Sequence, residues 1–210
     1  MKMDKPKLPR ELPLGKFQDI YSEEDPHLHG LEVEKSFFDH ETIDRVQLYG
    51  MVIKNSTFQH TQFRHIDITD VHFENCDLSN ANLSNASIHR VTFSNCKLLG
   101  VQLAESRFGN VLFDHCLLSM CNFGESKMEK LHFKDSNLSN ADFYHCAMKK
   151  TLYERCDLDG VSFDRTALKG IDISSSDFQS LTVSPDELRG CIVSERQALT
   201  FAAMLGLDIK

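Results

Sequence analysis

The chain has 210 residues, with 31 Asp and Glu against 23 Lys and Arg, a formal charge of −8 and no tryptophan. That acidity argues against direct nucleic-acid binding, which wants a basic face, and fits a basic partner. No apolar stretch approaches the roughly 20 residues of a membrane span, and the start MKMDKPKLPR lacks the apolar core of a secretory signal, so a cytoplasmic protein without membrane attachment is expected.

Residues 1–27 carry Pro6, Pro9 and Pro13 among mixed charges and share no period with the rest of the chain. They predict a mobile N-terminal arm leading into a cap, with contact to a partner as the functional alternative.

From Leu28 to Val193 every fifth residue is apolar: 34 consecutive positions, 12 of them Phe and 11 Leu, without a change of register. A period of five fits neither a helix nor an ordinary strand and marks a repeat architecture. The residue two before each large centre is small or β-branched, as in Cys76, Ala81, Ala86 and Val91, and the flanking positions are polar, giving pentapeptides such as CDLSN, ANLSN and ADFYH. One large and one small inward residue in five describe one short side of a coil.

A second period of 20 sets the number of sides. Ser36, Ser56, Cys76, Cys96, Cys116, Ser136, Cys156 and Ser176 form a column of Ser and Cys only, while the column from Leu31 through Met51, Val71, Val91 and Val111 is bulkier. Columns keep their character if residues 20 apart are stacked neighbours, so four pentapeptides close one square coil. The fold class is therefore all-β, a right-handed quadrilateral β-helix over 28–193. At about 4.8 Å per layer it makes a rod of roughly eight coils, about 40 Å long and 20–25 Å wide. Asn55, Asn75 and Asn95 start an outward amide ladder.

No coil carries an inserted loop, the usual seat of catalysis on a β-helix, and GxSxG, P-loop, GxGxxG and HExxH motifs are absent, so no enzyme and no cofactor are expected. The ten histidines all occupy outward positions. The seven cysteines all occupy the small inward position and are expected to be reduced packing residues. Stacked cysteines about 4.8 Å apart and the lack of CxxC predict no metal.

At Val193 the period changes. Ser194 and Gln197 make a capping box, Ala198, Phe201, Ala202 and Leu205 recur at helical spacing, and Gly206 is placed to end a short α-helix within 194–210. The helix either caps the last coil or serves an interface.

The unbroken register assigns charge to the four sides. The side centred on 28 and its twentieth successors sums to +3, whereas the sides centred on 33, 38 and 43 sum to −3, −4 and −3. The total of −7 over about 40 Å is roughly one charge per 6 Å, against one per about 1.7 Å for duplex DNA. Charge imitates DNA weakly, and shape must carry part of the likeness.

These repeats resemble those of the pentapeptide repeat proteins. The end of the chain, from Ala167 to Lys210 with LT-x-SP, a V-S-x-x-QA segment and a helix ending in LGL, is similar to the Qnr-type quinolone-resistance proteins of the Gram-positive branch. That resemblance implies a non-enzymatic DNA mimic which binds DNA gyrase or topoisomerase IV and protects it from quinolones. It also implies a homodimer packed tail to tail through Ala198, Phe201, Ala202 and Leu205. The partner-binding candidates, outward by register on the three acidic sides, are Asp77, Glu105, Asp114, Glu125 and Asp142. A rod-shaped scaffold for a partner unrelated to topoisomerases is the alternative, because the repeat specifies only fold. The lack of inserted loops distinguishes this chain from members with two projecting loops.

Overall fold

A computed structural model describes residues 2–22, 25–204 and 206–208. The chain winds as a β-solenoid in which residue i pairs, in parallel, with residue i+20. Strands Gln47–Lys54, Asp67–Glu74, Ser87–Ser94, Arg107–Asp114 and Lys127–Lys134 stack in that register, with Val71 beside Val91 and Phe73 beside Phe93. Each strand covers two sides of the square, those centred on 28 and 33, here called the first and second. The third and fourth sides, centred on 38 and 43, keep the same register through single bridges such as Asp77 to Lys97 and Asn82 to Gln102.

The corners explain why a side is five residues long. From residue 30 to 170 every fifth residue is left-handed, with φ near +60°. Asn, His and Asp, which tolerate that region, fill 14 of the 24 non-glycine places, and Gly30, Gly50, Gly100, Gly160 and Gly170 fill others. The amide column reflects this demand as much as laddering, since Asn75 donates to Asn55 at 3.3 Å while both residues turn corners.

Inside, the large centres form two aromatic stacks. Phe73, Phe93, Phe113, Phe133 and Tyr153 lie ring on ring at 4.8–5.2 Å, and Phe123, Phe143 and Phe163 form a second column at 4.8 and 5.4 Å. The two columns meet edge to face, as in Phe133 and Phe143 at 84°, the arrangement that ring quadrupoles favour. The small inward residues also serve the backbone. Ser136 Oγ accepts the Cys116 amide at 2.9 Å and donates to the Lys134 carbonyl at 2.8 Å, and Ser56, Ser106 and Thr166 accept amides in the same way. A hydroxyl at that position feeds an amide that the ladder leaves free.

At the start, Phe17 on the 3-10 helix Phe17–Ser22 closes the first coils, its ring 4.7 Å from Phe38 and 4.8 Å from Phe58. The arm ahead of it departs from the expected mobile segment. It lies along the rod: the Lys7 amide donates to Asp70 at 2.8 Å, the Asp4 amide donates to Asn110 at 3.0 Å, and Lys130 approaches the Asp4 carboxylate at 3.5 Å. Extended chain at about 3.3 Å per residue crosses coils of about 4.8 Å at roughly three residues to two coils, as from Asp4 at Asn110 to Lys7 at Asp70.

At the far end the helix Glu195–Met204 is capped as expected. The Ser194 amide donates to Gln197 Oε1 at 2.8 Å and the Gln197 amide to Ser194 Oγ at 3.3 Å. Gln197 does more than the box requires: buried under the last coil, its amide group donates to the carbonyls of Ile173 and Ser176 at 2.8 and 2.7 Å. The last coil is looser than the period predicts, with Val183, Leu188 and Val193 only partly buried.

Candidate partner-binding surface

The arm divides the outside of the rod into two halves. It follows the corner between the first and second sides, the column Asp70, Arg90, Asn110 and Lys130. Met3, Pro6 and Leu8 roof a hollow of about 520 Å³ above His72, Leu112 and His132. Burial lowers the pKa of both imidazoles, with Glu74 opposing it at His72 and Glu154 at His132. The two histidines are outward by register, yet half-buried.

Many charges on this half are matched within the chain, although Arg107, Lys127 and Lys150 on the first side stand exposed with no ion-pair partner among the described residues. Arg90 grips Asp70 with both ends of its guanidinium at 2.6 and 2.7 Å and holds that carboxyl below its usual range. Farther along, Arg155 binds Asp135 at 2.6 and 2.8 Å and draws its pKa down to about 2. Lys134 reaches Asp114 at 3.3 Å and Asp135 at 3.7 Å. Donor atoms of Asp114, His115 and Asp135 come within 4.8 Å of one another, a spacing open to a cation. Arg155 and Lys134 already supply positive charge there, so the group reads as an ion-pair network.

The five predicted carboxylates separate into two kinds. Asp114 belongs to the network just described. Asp77 pairs with Lys97 at 3.3 Å and accepts the Ser79 amide at 2.9 Å; burial works against ionisation, but these bonds leave its pKa lowered. Asp142 is half-buried and accepts the Tyr144 amide at 2.9 Å. Glu105 and Glu125 are exposed corner residues on adjacent coils, without an ion-pair partner among the described residues. Of the set, these two present uncompensated charge to solvent. Register identifies an outward residue, whereas neutralisation depends on what stands 18–22 residues away, which no single pentapeptide displays.

The predicted dimer residues also separate. Phe201 is buried against its own last coil, with its ring 5.3 Å from Phe178, which corrects the expectation that it anchors a partner chain. Ala198 is exposed and Ala202 half-exposed beside Leu188, Cys191, Val193 and Leu207 in an open apolar groove. Leu205 lies outside the described residues. Periodicity gave the apolar stripe of this helix but not which surface it meets.

The cysteines keep to the interior, with Cys191 half-exposed. Burial raises the Cys121 thiol to about 12, so a neutral, packed thiol is its resting form. Among the described residues no helix is long and apolar enough to cross a membrane.

Residues 66–143 match the family model for the pentapeptide repeat region. No curated protein matches the chain by sequence search. Among solved structures, a trypsin-treated variant of QnrB1, a plasmid-mediated fluoroquinolone resistance protein, aligns over 88% of this chain and 97% of its own, at 18% identity and TM-score 0.55. A second trypsin-treated QnrB1 variant aligns over 85% and 90%, at 18% identity and TM-score 0.47. A pentapeptide repeat protein of the Arabidopsis thaliana thylakoid lumen aligns over 44% and 67%, at 18% identity and TM-score 0.42. The central coils are a pentapeptide repeat region, and the fold as a whole is that of the pentapeptide repeat proteins.

Proposed function

We propose that this rod acts in the cytoplasm as a non-enzymatic mimic of duplex DNA, binding a type II topoisomerase, DNA gyrase or topoisomerase IV, and protecting it from quinolones. One observation carries the reading: the third and fourth sides stay clear of the arm, and Glu105 and Glu125 stand uncompensated at the outer corner of the fourth side on adjacent coils. The fold shared with QnrB1, itself a fluoroquinolone resistance protein, supports it. Such a surface is complementary to a cationic DNA-binding saddle and steers approach more than it adds affinity.

The test is gyrase supercoiling in the presence of ciprofloxacin, with and without the protein. Restored supercoiling at stoichiometric amounts is expected. Unchanged inhibition would overturn the reading and favour a scaffold with an unrelated partner.

The apolar groove at the helix end supports a tail-to-tail homodimer that buries Ala198, Ala202, Leu188 and Leu207. Ala202→Arg should sediment as a monomer with the strand signal unchanged, because the substitution leaves the Phe201 contact in place. A persisting dimer would confine the helix to capping.

A further inference from the structure

The waist of the third side is apolar beside Lys97, which pairs with Asp77, and apart from Phe37 on the first coil, itself 70% exposed, the outward residues elsewhere on that side are polar or acidic. On two neighbouring coils its outward residues include Leu99, Leu117 and Met120, while Asp39 and Asp77 lie towards one end of the rod and Asp157, Asp159 and Asp177 towards the other. Met120 is 62% exposed. It is also the single apolar side chain among the described residues at a left-handed corner, with φ +59°. That conformation suits Gly or Asn and is uncommon for Met. The corner one coil earlier is Gly100, which offers no side chain to cover it.

The fourth side of the same two coils continues the surface. Asn122 donates to Gln102 at 3.1 Å, and beyond that amide pair stand Glu105 and Glu125. An exposed thioether, with half-exposed Leu117 on its own coil and Leu99 on the coil before, adapts to an irregular apolar socket.

We infer that Leu99, Leu117 and Met120 form the anchor of a docking surface for a protein that presents lysine or arginine around an apolar socket. The free carboxylates select a cationic partner and disfavour nucleic acid or an anionic membrane. A second copy of this acidic chain would set like charges together, and three side chains fall far short of the roughly 800 Å² per partner of a stable dimer. The identity of the partner as a topoisomerase rests on the proposed function; the surface itself rests on the residues above.

The double variant Leu117→Ser/Met120→Ser tests it against three probes: purified DNA gyrase, a synthetic helix of Lys and Leu, and the same helix with Ser for Leu. Both substitutions are outward, so dichroism and melting should match wild type. The expected result is a loss of roughly tenfold or more in affinity for gyrase and for the Lys–Leu helix, as for a truncated anchor, with binding of the Lys–Ser helix unchanged. Wild-type preference for the Lys–Leu helix with no gyrase binding would uphold the surface and remove the topoisomerase. Equal affinity of wild type and variant for the Lys–Leu helix overturns the surface, even where gyrase binding persists. A wild-type self-association that the variant lacks overturns it too, by making the waist a contact between copies.

Discussion

The half of the rod under the arm and the bare half opposite are built from the same pentapeptides, yet they spend their polar residues differently. Under and beside the arm, the first and second sides run as continuous strands, and several of their charges close on one another: Asp70 with Arg90, Asp135 with Arg155, Asp114 with Lys134. On the bare half the third and fourth sides hold register through single bridges and neutral contacts such as Asn122 to Gln102; ion pairs there include Asp77 with Lys97 and Asp44 with Arg64, and Glu105 and Glu125 are left to solvent. By their sums of +3 and −3 the first and second sides are neutral together, whereas the third and fourth, at −4 and −3, carry the net charge. A solenoid separates the two halves cheaply, because every side has its own columns and the core does not depend on them.

The core is where both halves must fail together. Phe113→Ala and Phe133→Ala should each cost about 3–5 kcal/mol through the cavity left in a stack whose neighbours sit one coil away on either side. A urea midpoint unchanged in either variant would break the stacked-coil picture and, with it, the independence of outside from inside.

The fold is legible because periods of five and twenty are properties of the sequence alone, and each inward residue repeats its column. The reasons behind the columns are less legible. That Ser136 feeds the Cys116 amide, or that every fifth residue is left-handed, leaves a trace in Gly, Asn and His at those positions, but only the backbone explains it. Non-repeating parts are the least legible. The arm has no period, so its path over Asp70 and Asn110 leaves no signal in the sequence, and the helix stripe gives Phe201 an apolar face without revealing that Phe178 is what it meets. Register marks all five carboxylates as outward but does not separate Glu105 and Glu125 from those already paired.

Asp70→Asn probes the half under the arm directly. It weakens the bidentate Arg90 contact and the hydrogen bond from Lys7, with both charged side chains mostly shielded from water. A loss of about 1–3 kcal/mol is expected, as for a half-buried charged partner left unmet. Amide exchange in residues 4–9 should accelerate along with it. Stability lost without loosening of the arm would mean the arm is held by its apolar roof instead.

Acid should reach the covered half first. His72 and His132 have folded pKa values depressed by burial, whereas the unfolded chain protonates near pH 6.5. As pH falls through about 6.5 the unfolded state binds protons that the folded state refuses, so the stability present above that pH is lost on the way down to the folded values. The carboxylates Asp70 and Asp135, also depressed, keep their contribution in this window and lose it only at much lower pH. Between pH 7.5 and 5.5 the urea midpoint should fall for wild type and fall less for His72→Gln/His132→Gln. Parallel titrations would remove these imidazoles from the account.

The bare half predicts the smallest effect on stability and thereby the cleanest separation of fold from function. Glu105→Gln and Glu125→Gln remove charges that no described cation answers, so each should leave stability within about 0.5 kcal/mol of wild type. The pair tests whether side three and side four face the partner. Binding to gyrase should weaken and lose part of its salt dependence, because exposed carboxylates act through a field screened over about 10 Å at 0.1 M salt. Lys127→Ser with Lys149→Ser, on the first side, is the control and should not weaken it. If the two pairs, which change net charge in opposite directions, reduced binding equally at low salt and at high salt, neither charge nor its location would govern binding, and the division of the rod into a closed half and an available half would lose its functional meaning.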